Sequence, residues 1–154
     1  MKVVLDTNIL ISGIARPGGA PGRVVDAWLQ GKFELVVSEA LLEEFTRALR
    51  YPKVRKLLLA KGVSDEDLRD FLEILRVKTV TVDIADVPLA VIPSDPKDRH
   101  VIAALVASGA DYLVTGDRKD LLSLGSPKIV SAADFASRLS AFESLAPPAP
   151  DSDH

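Results

Sequence analysis

The sequence lacks cysteine and any long hydrophobic run, and it contains few aromatic residues. With no cysteine in 154 residues, neither a disulfide framework nor a thiolate metal site can form. No apolar segment approaches the roughly 20 residues that a membrane helix needs. The charged residues Lys2 and Asp6 interrupt the first apolar run too early for a secretory signal peptide. We therefore expect a soluble, cytoplasmic protein with no membrane association.

The chain also has no excess of positively charged residues. The chain has 19 lysines and arginines against 22 aspartates and glutamates, which gives a net charge of −3. A broadly basic surface for nucleic acid is excluded, so any contact with nucleic acid must be local. Histidine is scarce as well, since the sequence has only His100 and His154, and this excludes RNA cleavage by two cooperating histidines.

The strand-like and helix-like patterns of the chain alternate. Apolar runs predict strands at residues 2–5, 33–37, 77–83, 112–115 and 128–130. Capping residues and apolar stripes predict helices at residues 24–29, 39–50, 54–60, 65–75, 96–107 and 132–139, with a loop at residues 16–22. Strands separated by helices predict an α/β fold with a parallel sheet covered on both faces. We expect one domain over residues 1–140 and a mobile tail over residues 141–154.

Four acidic residues fall where these elements would deliver them to one edge of the sheet: Asp6, Glu44, Asp98 and Asp117. Asp6 and Asp117 follow the ends of the first and fourth predicted strands. Open α/β sheets bind ligands at the carboxyl ends of their strands. Helical geometry places Glu44 at the border of an apolar stripe and Asp98 on the apolar side of its helix. The joint placement indicates a metal site.

Taken one at a time, three of these acids also have an ordinary structural explanation. Asp98 could cap its own helix, and its neighbour His100 is expected to point away from the acids. Asp117 could cap the turn that follows it, and Glu44 could be a solvated helix residue. Asp6 is different, because a carboxylate at the end of a buried strand has few structural roles. The metal-site interpretation therefore depends on the joint placement of all four acids.

The chain resembles the PIN domain family through short motifs spread over about residues 1–140. These motifs are Asp6-Thr7-Asn8-Ile9-Leu10-Ile11-Ser12, Ser38 followed by Glu44, Asp95-Pro96-Lys97-Asp98, and Tyr112-Leu113-Val114-Thr115-Gly116-Asp117. The resemblance implies a three-layer α/β/α sandwich with a parallel five-stranded sheet in the order 3-2-1-4-5. It is greatest to prokaryotic members regarded as toxin components of toxin–antitoxin pairs. An antitoxin partner and a homodimer are therefore expected.

The resemblance also implies an activity and its residues. The expected activity is that of a metal-dependent endoribonuclease that leaves a 5′-phosphate, with catalytic metal ligands at Asp6, Glu44, Asp98 and Asp117. Family positions that shape or support the site correspond here to Thr7, Asn8, Ser38 and Thr115. Basic residues that could steer a substrate phosphate, or form only a solvated rim, are Arg16, Arg23, Lys97, Arg99, Arg118 and Lys119.

An acidic cluster of this kind needs a cation. Two carboxylates about 5 Å apart repel by roughly 3 kcal/mol at an effective dielectric constant near 20. Oxygen donors without cysteine favour Mg²⁺ or Mn²⁺ over Zn²⁺. Such an ion would activate a water toward phosphorus and stabilise the departing oxygen.

Parts of the sequence also suggest two other functions. A PIN-like module that binds RNA or a protein with little turnover is the main alternative, and an assay for metal-dependent RNA degradation separates it from the nuclease. A haloacid-dehalogenase-like phosphatase would need a second aspartate two residues after Asp6, where this chain has Asn8. That reading is therefore disfavoured.

We predict that Glu44, and not Glu43, contributes to metal binding, because Glu43 lies on the opposite side of the predicted helix. In a Mn²⁺ titration, Glu44→Gln should lose more affinity than Glu43→Gln. A larger loss in Glu43→Gln would show that the wrong glutamate was chosen.

Overall fold

A parallel sheet of five strands forms the centre of the protein. The structure is a computed structural model that describes residues 1–89, 98–117, 119 and 121–145. The strands found in these residues are β1 (Lys2–Leu5), β2 (Glu34–Val37), β3 (Val80–Thr81), β4 (Tyr112–Val114) and β5 (Ile129–Val130). Their order is β3-β2-β1-β4-β5, and every pair is parallel. The predicted α/β architecture and the strand order 3-2-1-4-5 are thereby confirmed.

Strand β1 occupies the middle of the sheet because its side chains are apolar on both faces. Val3, Val4 and Leu5 are fully buried, as expected for a parallel strand with helices on either side. In register, Val4 lies between Val36 of β2 and Leu113 of β4. The carboxyl ends of β1 and β4 therefore lie next to each other at the same edge of the sheet.

Seven α-helices flank the sheet within the described residues. They are α1 (Thr7–Ala15), α2 (Ala20–Leu29), α3 (Glu39–Ala48), α4 (Pro52–Ala60), α5 (Asp65–Val77), α6 (Arg99–Ser108) and α7 (Ala132–Leu145), with a 3₁₀ turn at Leu122–Leu124. The predicted serine caps are present: the Ser38 hydroxyl accepts a hydrogen bond from the Leu41 amide, and Ser64 forms a reciprocal capping box with Asp67.

Helix α1 is the element that the sequence analysis missed, because Thr7 and Asn8 were expected in a loop. Asp6 caps this helix: its carboxylate accepts a hydrogen bond from the Thr7 amide. The residues that follow, Ile9, Leu10 and Ile11, are all buried. A short apolar run rich in β-branched residues has no clear helical period, so its conformation is decided by packing rather than by propensity.

The predicted boundaries of three elements were also wrong. Helix α2 begins at Ala20, inside the loop predicted at residues 16–22, because Pro21 is favourable in the first turn of a helix. Strand β3 has two residues instead of the predicted seven, since Val77 belongs to helix α5. Helix α7 continues to Leu145, beyond the predicted helix end at residue 139, and residues 146–154 lie outside the described part.

Aromatic side chains fill the space between the sheet and its helices. Trp28 is 1% exposed and packs edge-to-face against Phe71 of α5, with ring centroids 6.0 Å apart. Phe135 of α7 packs in the same way against Phe33, at 5.4 Å. Phe45 of α3 is fully buried as well and packs against the same Phe71 ring. None of the helices in the described residues is both long enough and apolar enough to cross a membrane.

Helices α1 and α2 approach each other closely, and the contact depends on two glycines. A Cβ atom at Gly13 would lie 2.5 Å from Cγ2 of Val25. A Cβ atom at Gly22 would overlap the backbone carbonyl of Pro17, which cannot move aside as a flexible side chain can. Gly13 therefore permits the close packing of α1 on α2, and Gly22 permits the close approach of α2 to the segment that joins the two helices.

We predict that Gly22→Ala lowers the free energy of unfolding by about 1–3 kcal/mol, the usual cost of overpacking. Thermal unfolding followed by circular dichroism measures this effect. Gly18→Ala is the matched control, because a Cβ atom at Gly18 meets nothing within 4 Å. Equal melting temperatures for the two variants would contradict the proposed clash.

Candidate active site

The candidate site begins where strand β1 ends. The Asp6 amide still donates a sheet hydrogen bond to the Val114 carbonyl, at 2.9 Å, while the Asp6 side chain caps α1. The residue is 7% exposed, so its carboxylate lies at the carboxyl edge of the sheet and is largely withdrawn from water. This is the position that the sequence analysis predicted for Asp6.

The Asp6 carboxylate is held by one donor on each oxygen. The Thr7 amide donates to Oδ1 at 2.8 Å, and the hydroxyl of the fully buried Thr115 donates to Oδ2 at 2.9 Å. The Thr115 Oγ1 atom also accepts a hydrogen bond from the Asp117 amide, at 3.1 Å. Thr115 therefore connects two of the predicted acidic residues, one after β1 and one after β4.

Glu44 of α3 enters the same network through its Oε2 atom. The Thr7 hydroxyl donates to Oε2 at 3.0 Å, and Nε2 of His100 lies 2.7 Å from the same oxygen. Glu44 leans inward and is half-buried, whereas Glu43 is exposed, so the predicted orientation of the two side chains is confirmed. The contacts of Thr7 and Glu44 join helices α1, α3 and α6 at the edge of the sheet.

His100 is the residue that the sequence analysis placed wrongly. It was expected to point away from the acids, yet its side chain is only 17% exposed and reaches Glu44. The reason is that α6 is buried over more than one stripe, since Ala103 and Ala104 are buried as well as Val101. His100 precedes the two alanines by one helical turn and therefore shares their face. The adjacent small residues were the signal that could have indicated this.

Asp98 lies at the start of α6, as the residue that precedes its first turn. The predicted helix start at Pro96 and the predicted capping pair with Asp95 fall outside the described residues. Asp98 itself is half-buried, and its predicted capping contact with Asp95 stays a prediction. Asp117 is likewise half-buried, in the segment after β4.

The remaining predicted residues differ in how far they are buried. Ser38 is fully buried and caps α3, the helix that carries Glu44. Asn8 is exposed on α1, and Arg16, Arg23, Arg99 and Lys119 are exposed as well. Lys97 and Arg118 lie outside the described residues. The sequence analysis did not select Arg47 as a steering residue, although its charge acts on Glu44.

The two acids of the network have opposite electrostatic properties. Burial raises the pKa of Asp6 above its ordinary value, and the charge of Glu44 raises it further, although hydrogen bonds from Thr115 and Thr7 act against this. The hydrogen bond from His100 lowers the pKa of Glu44, with smaller contributions from Thr7 and Arg47. Asp6 is thus the carboxyl group whose ionisation is costly, and Glu44 is the one that ionises readily.

The donor chemistry of this edge suits a hard divalent cation. A carboxylate has about four acceptor positions. Each Asp6 oxygen accepts one hydrogen bond here, so acceptor capacity remains. Mg²⁺ commonly binds through one or two carboxylates and several waters. Within the described residues, however, no three acidic or histidine side chains gather closely enough to hold one ion. The predicted cluster of four ligands is therefore not seen as a closed cage.

Comparison with known proteins identifies the family. The family profile described as PIN domain matches residues 2–119. The chain belongs to the PIN domain family. PIN domains are generally nucleases, and PIN nucleases typically use divalent metals.

The chain is also similar to two known proteins. The uncharacterized protein MJ1680 of Methanocaldococcus jannaschii is 32% identical over 131 residues, which cover 80% of this chain and 75% of the relative. A chain in the crystal structure of VapBC2 from Rickettsia felis, bound to a DNA fragment from its promoter, has the same fold. The TM-score is 0.51 at 16% identity, over 85% of this chain and 97% of that one.

We predict that Asp6→Asn raises the melting temperature of the metal-free protein near neutral pH. The folded-state pKa of Asp6 lies above its ordinary value of 3.8, so the protonated carboxyl group stabilises the fold relative to the ionised one. This contribution is fully present below pH 3.8 and is lost as the pH rises through the folded-state pKa. The gain from Asn should therefore shrink as the pH is lowered. Thermal unfolding in EDTA across this pH range tests the prediction.

Asp70→Asn is the control for that measurement, because Asp70 is exposed on α5. A lower melting temperature for Asp6→Asn at neutral pH would mean that the hydrogen bond from Thr115 outweighs the cost of burying the charge.

Proposed function

We propose that this protein is a metal-dependent endoribonuclease that hydrolyses RNA phosphodiester bonds beside Asp6. The observation that carries the proposal is the Asp6 carboxylate, buried at the carboxyl edge of a PIN-domain sheet with Glu44 close enough to raise its pKa. Buried carboxyl groups with perturbed pKa values concentrate at functional sites. A cation bound here would relieve the repulsion between the two acids.

The proposed ligands are the four acids of the sheet edge: Asp6, Glu44, Asp98 and Asp117. A Mg²⁺ or Mn²⁺ ion, when bound, lowers the pKa of a coordinated water and offsets negative charge on the phosphate. The chain's own residues orient the ligands. Thr115 fixes Oδ2 of Asp6, and Thr7 and His100 both fix Oε2 of Glu44. Ligands restrained in this way need little reordering when a substrate arrives.

RNA is the proposed substrate because Glu44, with its partners Thr7 and His100, lines an open groove rather than a closed cavity. The groove next to Glu44 has a volume of about 450 Å³ and includes the exposed residues Asn8, Arg47 and Tyr51. Its exposed lining leaves room for a polynucleotide to pass, which internal cleavage of a chain requires. Arg47 lines the groove together with Glu43 and Glu44, so a bound cation as well as Arg47 would offset the charge of a phosphate there.

A toxin role is part of the proposal. The similarity in fold to a chain of the VapBC2 complex supports an antitoxin as partner of this protein. Homodimerisation stays a prediction of the family resemblance. Co-expression with the product of a neighbouring gene, followed by relief of growth arrest, would test the partnership.

A second candidate function is binding of RNA or protein without turnover. It is favoured by the observation that the described residues do not bring three metal ligands together. The two candidates differ in one assay, since only the nuclease converts RNA to shorter products when a divalent ion is added.

We predict that Asp6→Asn reduces Mn²⁺-dependent cleavage of single-stranded RNA by about 100-fold or more, the size of loss seen when a group that stabilises charge in the transition state is removed. Gel analysis of end-labelled RNA measures the rate, and EDTA should abolish cleavage by the wild-type protein. Asp70→Asn, prepared in the same way, should cleave normally. Full activity of repurified Asp6→Asn would remove Asp6 from the chemistry.

A further inference from the structure

A groove leads away from the acids along helices α1, α3 and α4. Glu44 and His100 lie at one end of it, and Tyr51 and Val54 line it farther along. Apolar side chains, including Ile11 and Ala48, form its buried floor. The groove therefore continues the candidate active site and offers a surface for the part of a substrate that lies beyond the reacting bond.

Tyr51 is an exposed aromatic residue in the lining of this groove. Its side chain is 53% exposed, and it takes part in no ring pair within the described residues, unlike Trp28 and Phe45. The backbone beneath it is nevertheless well held. The Tyr51 amide donates to the Ala48 carbonyl at 3.1 Å, and the Tyr51 carbonyl accepts from the Arg55 amide at 2.9 Å. An exposed aromatic ring on a fixed backbone is a stacking platform of the kind that binds nucleobases.

Arg47 lies between the acids and Tyr51 in the sequence. It follows Glu44 by three residues on α3, about one helical turn, and both side chains line the groove. Arginine binds phosphate oxygens with paired hydrogen bonds. The groove lining thus contains an acid and a cation from α3, and an aromatic ring from the residue that precedes α4.

We propose that this groove binds the nucleotide next to the cleaved bond of a single-stranded RNA, with its base stacked on Tyr51 and its phosphate on Arg47. The proposal rests on the proposed ribonuclease function and names the substrate subsite of that activity. Because every base has an aromatic face, stacking on Tyr51 adds affinity with little sequence preference. A paired strand would hold its bases in the duplex, so the subsite favours unpaired RNA.

The test is equilibrium binding of a short fluorescein-labelled single-stranded RNA, measured by anisotropy in EDTA so that no cleavage occurs. Tyr51→Ala should weaken binding by roughly 10-fold, the size expected for loss of one stacked base. Tyr51→Phe keeps the ring and should bind within about 2-fold of the wild type. Arg47→Ala should reduce the salt dependence of binding by about the contribution of one phosphate contact.

Arg55→Ala is the matched control, because Arg55 is an exposed arginine that lines a different groove, with Arg50 and Arg69. A second RNA whose nucleotides are abasic isolates stacking from other effects. The wild-type protein should bind this RNA about as weakly as Tyr51→Ala does, and Tyr51→Ala should bind both RNAs alike. Such a result cannot come from partial unfolding of the variant.

The proposal would be overturned if Tyr51→Ala bound the ordinary RNA as tightly as the wild-type protein does, and also bound the abasic RNA as tightly as the wild-type protein does. It would also be overturned if a polyglutamate peptide bound the wild-type protein but not Arg47→Ala, while RNA binding was unaffected by either substitution. That outcome would assign the groove to an acidic protein partner. Because binding is measured without metal, failure here leaves the Asp6 cleavage test intact, and failure of that test leaves the binding result intact.

Discussion

The hydrogen bond from Thr115 to Asp6 is the constraint on which the rest of the site depends. It exists because β1 and β4 are adjacent and parallel, with Leu5 in register with Val114. The residues that follow these two, Asp6 and Thr115, must therefore lie side by side at the same edge of the sheet. An antiparallel pairing would carry them to opposite edges. The strand order thus produces the local geometry directly, and the helices only add to what the sheet has already arranged.

Thr7 gives the site its second property, which is the difference between the two acids. Its amide donates to Asp6 and its hydroxyl donates to Glu44, so one residue fixes the positions of both carboxylates. The acids nevertheless respond to different surroundings. Burial is the main influence on the pKa of Asp6 and raises it, whereas the hydrogen bond from His100 is the main influence on the pKa of Glu44 and lowers it. Two carboxyl groups with opposite pKa shifts can take different roles in proton and cation binding, which two equivalent groups could not.

How far the sequence could predict this arrangement depended on whether a feature is local. The Ser38 cap and the inward lean of Glu44 follow from helix periodicity and capping chemistry, and both were confirmed. The sheet order came from family resemblance, because strand order is not encoded in any single segment. Helix α1 was missed because its apolar run has no clear helical period. Its helical conformation is decided by packing, including the packing of α2 against it. His100 was placed wrongly because the breadth of the buried face of α6 depends on tertiary contacts, which a helical wheel does not contain.

The position of Asp6 on the central strand also determines how the site behaves when the protein fluctuates. Its amide is hydrogen-bonded within the sheet, next to side chains that are wholly buried. Backbone amides in buried central strands belong to the most stable part of a fold, so they exchange slowly with solvent. The Asp6 carboxylate is therefore held in place for as long as the central strand is paired, and a cation or substrate would meet the same arrangement at each encounter.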